Sequence, residues 1–105
     1  MQNEQSVRIV RRFFEAIELL KANKIIRGKQ TFTRRYDINR RNFCTCEKQP
    51  ERDIFQVAWL ENLVRDYKVS SLWLLTGQGS FFDIGYDAEK VKNLQKTCKS
   101  EIKEK

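Results

Sequence analysis

The sequence predicts an all-α fold, five short helices around one core with an additional C-terminal helix, on three observations. Apolar residues recur at three- and four-residue steps in successive segments, residues able to cap a helix stand at their heads, and Gly or Asp punctuates between them. The 105 residues fit one domain, and a domain of that size buries roughly 60–65% of the surface its unfolded chain exposes. Hydrophobic residues make up 40% of the chain, with Phe 7, Trp 2 and Tyr 3 supplying the large side chains of a core.

The first helix is expected at about residues 7–23, with Ser6 as N-cap and Val10, Phe13, Phe14, Ile17 and Leu20 as its inward stripe. After Gly28, residues 31–36 form a short second helix with Phe32 and Tyr36 at i,i+4, and Asp37 ends it in a tight turn. Asn39 caps a third short helix, because its side chain can accept from the free N–H of Arg41 or Asn42, and Phe43 and Cys46 face inward. Pro50, among charged residues, marks a surface connection, and Val57, Leu60, Leu63, Val64 and Tyr67 place a fourth helix at about 56–67. Ser70 caps a fifth, with Leu72, Trp73, Leu74 and Leu75 closing the core, and Gly77 and Gly79 stop it. Asp87 caps a last helix whose narrow seam of Val91, Leu94 and Cys98 suits a partner surface, so these three are the candidate dimerisation residues. Residues 1–80 form the main domain on this reading, and residues 81–105 a linker and helical arm.

Charge points to a polyanionic partner. The formal net charge is +7, and five of those seven charges lie in residues 27–41. The Phe32/Tyr36 pair, the turn around Ile38 and the Phe43/Cys46 pair would lock two helices at a wide angle, as in a helix-turn-helix. The second helix of that motif enters the major groove N-terminus first, which puts Arg40, Arg41, Asn42 and Thr45 at the base edges, with Cys44 beside them. Arg can donate two hydrogen bonds to guanine and Asn can pair with adenine, each good pair being worth about 1–3 kcal/mol of discrimination. Arg27, Lys29, Gln30, Arg34, Arg35 and Lys48 would flank this helix on the phosphates, fixing register without reading sequence.

The stretch K-Q-T-F-T-R-R-Y-D-I-N-R-R-N-F-C-T-C-E, residues 29–47, resembles the helix-turn-helix of phage-repressor-like domains (lambda repressor/Cro, XRE-type). The run Y-K-V-S-S-L-W-L-L-T-G-Q-G, residues 67–79, resembles the more specific G-V-S-x-x-W-L-L-T-G-x-G ending of many of them. The resemblance implies a compact five-helix lambda-repressor-like domain that binds double-stranded DNA sequence-specifically, commonly as a homodimer, and acts as a bacterial or phage transcriptional regulator, chiefly a repressor. It puts readout on Arg40, Arg41 and Thr45, with Lys29 and Lys48 near phosphates. Asp37 stands where the family often has Gly in the turn, and Thr33 where it usually has Ala at the helix crossing; Asp tolerates the left-handed conformation and Thr adds only a small branch.

Other chemistries find little support. There is no His for a Ser-His or Cys-His arrangement, and no carboxylate pair is singled out by spacing, so the chain reads as a non-enzyme. The three cysteines complete no four-ligand zinc set, and no metal, cofactor or small-molecule ligand is expected. Two apart on one helix, Cys44 and Cys46 point in different directions and do not suit a vicinal redox switch. Trp59 and Trp73, beside Leu and Val, read as core, and the bare Gly77-Gln78-Gly79 as a helix stop rather than a phosphate cradle. No membrane span and no signal-peptide order are visible, which leads to the expectation of a cytoplasmic protein. Two other functions are compatible with the composition: a protein-binding adaptor reusing the fold, and a sequence-indifferent nucleic-acid binder.

Overall fold

The structure, a computed structural model, describes residues 4–103, with side chains up to residue 95. The fold is all-α: among the described residues six helices follow one another, α1 (Glu4–Ala22), α2 (Lys29–Arg35), α3 (Arg40–Lys48), α4 (Val57–Asp66), α5 (Ser71–Thr76) and α6 (Ala88–Lys103). None is long and apolar enough to cross a membrane among the described residues. The core is aromatic. Phe13 of α1 lies at its centre, with ring centroids 5.1 Å from Phe14, 5.7 Å from Phe32, 5.9 Å from Phe43, 5.2 Å from Phe55 and 6.0 Å from Trp59. α1 packs on both α5 and α3, and α2 packs on α3.

Three of the expected caps are in place. Asn39 Oδ1 accepts from the Asn42 N–H at 3.0 Å, Ser70 Oγ from Trp73 N–H at 3.3 Å, and Asp87 Oδ1 from Lys90 N–H at 2.8 Å. Ser6 is not a cap, because α1 already includes Glu4 and Ser6 lies inside it. Pro50, expected on the surface, is buried. α5 buries only Leu74, while Leu72 and Leu75 are 55% and 52% exposed, since a helix of under two turns offers few inward positions.

Three helices end on a left-handed residue. After α1, α2 and α4 a non-glycine residue takes a left-handed conformation, Lys24 (φ 61), Asp37 (φ 53) and Lys68 (φ 54). Ile25 and Ile38 then donate their N–H five positions back, to the Leu20 and Thr33 carbonyls at 2.9 Å each, Val69 donates six positions back, to the Leu63 carbonyl at 3.2 Å, and all three pack their side chains on the core. At α1 and α2 this is the Schellman ending, in which an apolar residue just past the left-handed position anchors the helix end; the wider turn after α4 keeps the same apolar anchor. A left-handed L-residue costs about 1–2 kcal/mol. Lys24→Gly is therefore expected to stabilise the protein by about 1 kcal/mol, read as a higher urea midpoint with unchanged slope.

The division after residue 80 is not a packing boundary. Ser70 N–H donates to the Phe81 carbonyl and Asp83 N–H to that of Lys68, both at 2.8 Å, and Phe81 packs edge-on against Trp73 at 4.8 Å. Val91, expected on a dimer seam, is fully buried in the core cluster, because α6 folds back onto the other helices. Leu94 is 37% exposed, and the Cys98 side chain lies outside the described residues.

Candidate nucleic-acid interface

The α2–turn–α3 unit is held from beneath by aromatic packing and from the side by polar contacts. Phe32 on α2 and Phe43 on α3 are fully buried with centroids 5.8 Å apart, and Tyr36 lies 4.9 Å from Phe32. Thr33 is buried where the two helices meet, and its hydroxyl is satisfied by donating to the Gln30 carbonyl at 3.2 Å. Asp37 supplies the left-handed turn residue and Asn39 starts α3.

The burial of Phe43 and Cys46 sets the rotation of α3. At about 100° per residue, Arg41, Thr45 and Lys48 then lie along the opposite, outward ridge, with Arg40 and Asn42 on its two flanks. Arg40, Arg41, Asn42 and Lys48 are exposed and Thr45 is half-buried. Arg40 borders a polar recess with Glu18, Lys21, Gly28, Lys29 and Gln30, whereas Asn42 borders a different cavity beside α4. Arg27, Arg34, Arg40, Arg41 and Lys48 have no ion-pair partner among the described residues, so their guanidinium and ammonium groups are free to donate to an external acceptor.

Two residues expected on phosphates are committed elsewhere. Lys29 Nζ pairs with Glu47 Oε1, tying the start of α2 to the end of α3. Arg35 turns inward: its guanidinium donates to Gln95 Oε1, lies 5.3 and 5.2 Å from the Tyr36 and Tyr67 ring centres, and is 3.8 Å from Asp66 Oδ2. Its side chain is only 18% exposed, which corrects its placement on a phosphate. Gln95 Nε2 in turn donates to the Asp66 carbonyl at 2.5 Å, and Tyr36 Oη to Asp66 Oδ2 at 2.5 Å. Arg35, Tyr36, Asp66, Tyr67 and Gln95 thus fasten α2, α4 and α6 together. Sequence reasoning did not find this network; its one local signal is Gln95, a polar residue four positions after Val91 on the buried stripe of α6.

Burial pushes the Asp66 carboxyl up, but hydrogen bonds from Arg65 and Tyr36 and the charges of Arg35 and Arg65 outweigh it and hold Asp66 below its ordinary 3.8. A lowered folded-state value adds stability that is present above the ordinary value and lost as pH falls through the folded one. Asp66→Asn is therefore expected to destabilise at pH 7 by an amount that shrinks steadily as pH is lowered below 3.8, as followed by urea unfolding across that range. Burial also raises the Cys46 thiol to about 11, which keeps it protonated and unreactive at neutral pH.

Chemically, the outward face combines bidentate donors, an amide and a hydroxyl on one helix with unpaired cations around it. Such a set can grip an anionic backbone and donate to acceptors on flat edges. Compared with protein-family models, with curated proteins and with solved structures, the chain matches none.

Proposed function

We propose that the chain is a sequence-specific DNA-binding transcriptional regulator of the lambda-repressor-like type, a repressor by occlusion, of bacterial or phage origin, in which α3 reads the major groove. The observation that carries this reading is the outward ridge of Arg41, Thr45 and Lys48, flanked by Arg40 and Asn42, on a short helix whose opposite side is locked into the core by Phe43 and Cys46. A helix presented in this way fits a groove about 12 Å wide with its N-terminal residues toward base edges.

Two local conformations support the fold type. Lys68 occupies the Gly position of the G-V-S-x-x-W-L-L-T-G-x-G pattern and takes φ 54, and Asp37 occupies the turn position and takes φ 53, both conformations that Gly adopts without strain. Gly77, later in the pattern, has φ 78 and sits 3.3 Å, measured from a Cβ placed on it, from Arg12 Nε, so a side chain would be strained and crowded there. Arg12 donates to the Leu74 carbonyl at 2.8 Å, holding α5 to α1.

Phosphate gripping falls to Arg27, Gln30, Arg34 and Lys48, because Lys29 and Arg35 have internal partners. Fluorescence anisotropy with labelled duplexes tests the proposal. With Arg27, Arg34 and Lys48 on phosphates, log K against log salt is expected to fall with a slope of about −3, at about −0.9 per neutralised phosphate. Arg34→Ala should weaken all duplexes and reduce that slope by about one, and Lys29→Ala should weaken them less. Absence of salt-dependent duplex binding at micromolar protein would refute the proposal and leave an acidic protein partner for the same face.

A further inference from the structure

The cavity beside the first turns of α3 and α4 has a volume of about 200 Å³ and is walled by Tyr36, Asp37, Asn39, Asn42, Trp59 and Asn62, among others. Two of these side chains are more than nine-tenths buried, Trp59 at 4% and Asn62 at 8% exposure. Neither the Trp59 indole N–H nor the Asn62 Nδ2 donates to an acceptor among the described residues. Among the described residues no side-chain nitrogen that is wholly shut off from solvent lacks a partner, so both donors keep some access to solvent, and both residues line the cavity. Asn62 Oδ1 already accepts from Arg65 Nη2 at 3.3 Å, which commits the oxygen and leaves the Nδ2 donor over. Trp59 and Asn62 stand three apart on α4 and share one face of it.

We propose that this cavity binds a small uncharged cyclic amide, a pyrimidine base being the representative. A carbonyl oxygen has two lone pairs, enough to accept from both donors in place of water. Asp37 lines the cavity and, among the described residues, has no ion pair and no Lys or Arg beside it on the wall. A carboxylate or phosphate would meet only like charge there, whereas a ring N–H finds an acceptor. Tyr36, Ile38 and Ile54 add flat and apolar walls for a ring. The space is that of one small ring, the scale of uracil, rather than of a larger ligand. An occupant would also touch Asn39 and Asn42, the cap and first turn of α3, so binding would bias the helix proposed to read DNA. That consequence rests on the DNA reading; binding to the cavity does not.

The chain has two tryptophans, so its nitrogen-15 spectrum carries two indole signals, assigned by Trp73→Phe. Titrating the full chain with uracil is expected to move the Trp59 indole signal saturably, and acetate at equal concentration is expected to leave it in place. Asn62→Leu should weaken the uracil response at least tenfold. Asp37→Asn, which keeps the left-handed turn because Asn adopts it readily, should weaken uracil severalfold and let acetate produce a response. If uracil gives no saturable Trp59 shift at low millimolar concentration, the proposal is wrong. It is equally wrong if Asp37→Asn responds to both probes as wild type does, an outcome readable even if Asn62→Leu does not fold.

Discussion

Phe43→Ala is expected to destabilise the protein by about 3–5 kcal/mol, the largest effect of any single truncation in α3. Phe43 is fully buried, and its ring centroid lies 5.0 Å from Phe14, 5.2 Å from Trp59, 5.8 Å from Phe32 and 5.9 Å from Phe13. Alanine would lose contacts to α1, α2 and α4 at once and leave a cavity that four large rings cannot collapse to fill. Since a domain of this kind is stable by only about 5–15 kcal/mol, the variant should unfold at a markedly lower urea concentration or fail to fold at 37 °C. Leu72→Ala supplies the contrast: that side chain is 55% exposed, and truncation should change stability by less than about 0.5 kcal/mol. Equal losses in the two variants would mean that α3 is not seated on the aromatic core as described.

Arg41→Ala is expected to leave stability almost unchanged and to reduce affinity for the preferred duplex by roughly 10- to 100-fold, equivalent to about 1–3 kcal/mol. Arg41 is exposed on the outward ridge and has no internal partner among the described residues, so its removal disturbs nothing in the fold. The loss should be concentrated on the preferred sequence, with mismatched duplexes weakened only by the lost charge. Arg34→Ala should weaken preferred and mismatched duplexes alike. Anisotropy titrations of both variants against both duplexes at one salt concentration separate a base contact from a phosphate contact.

Legibility in the sequence followed how local each determinant is. The caps Asn39, Ser70 and Asp87 were readable because a cap and the N–H groups it satisfies lie within three residues. The inward pairs Phe32/Tyr36 and Phe43/Cys46 were readable because helical spacing alone puts them on one side. The left-handed ends at Lys24 and Lys68 were not, since lysine gives no local sign of that conformation and the packing of Ile25 and Val69 compels it. The inward turn of Arg35 depends on Asp66 and Gln95, 31 and 60 positions away, and nothing near Arg35 distinguishes it from exposed Arg34. Val91 was misread because an apolar stripe says that a surface will be covered and not what covers it; here the cover is the chain's own core. The cavity was invisible for the same reason, as it forms only where the turn at Asp37 meets the first turns of α4.

Selection of bound sites from a pool of random duplexes, run side by side for the wild type and Arg40→Ala/Arg41→Ala, is the measurement that bears most directly on α3 as a reading helix. The wild type should enrich one shared motif, and the double variant should bind with little or no enrichment. Enrichment of the same motif by both proteins would contradict reading by the N-terminal end of α3, and binding by the wild type without any enrichment would contradict sequence-specific recognition altogether.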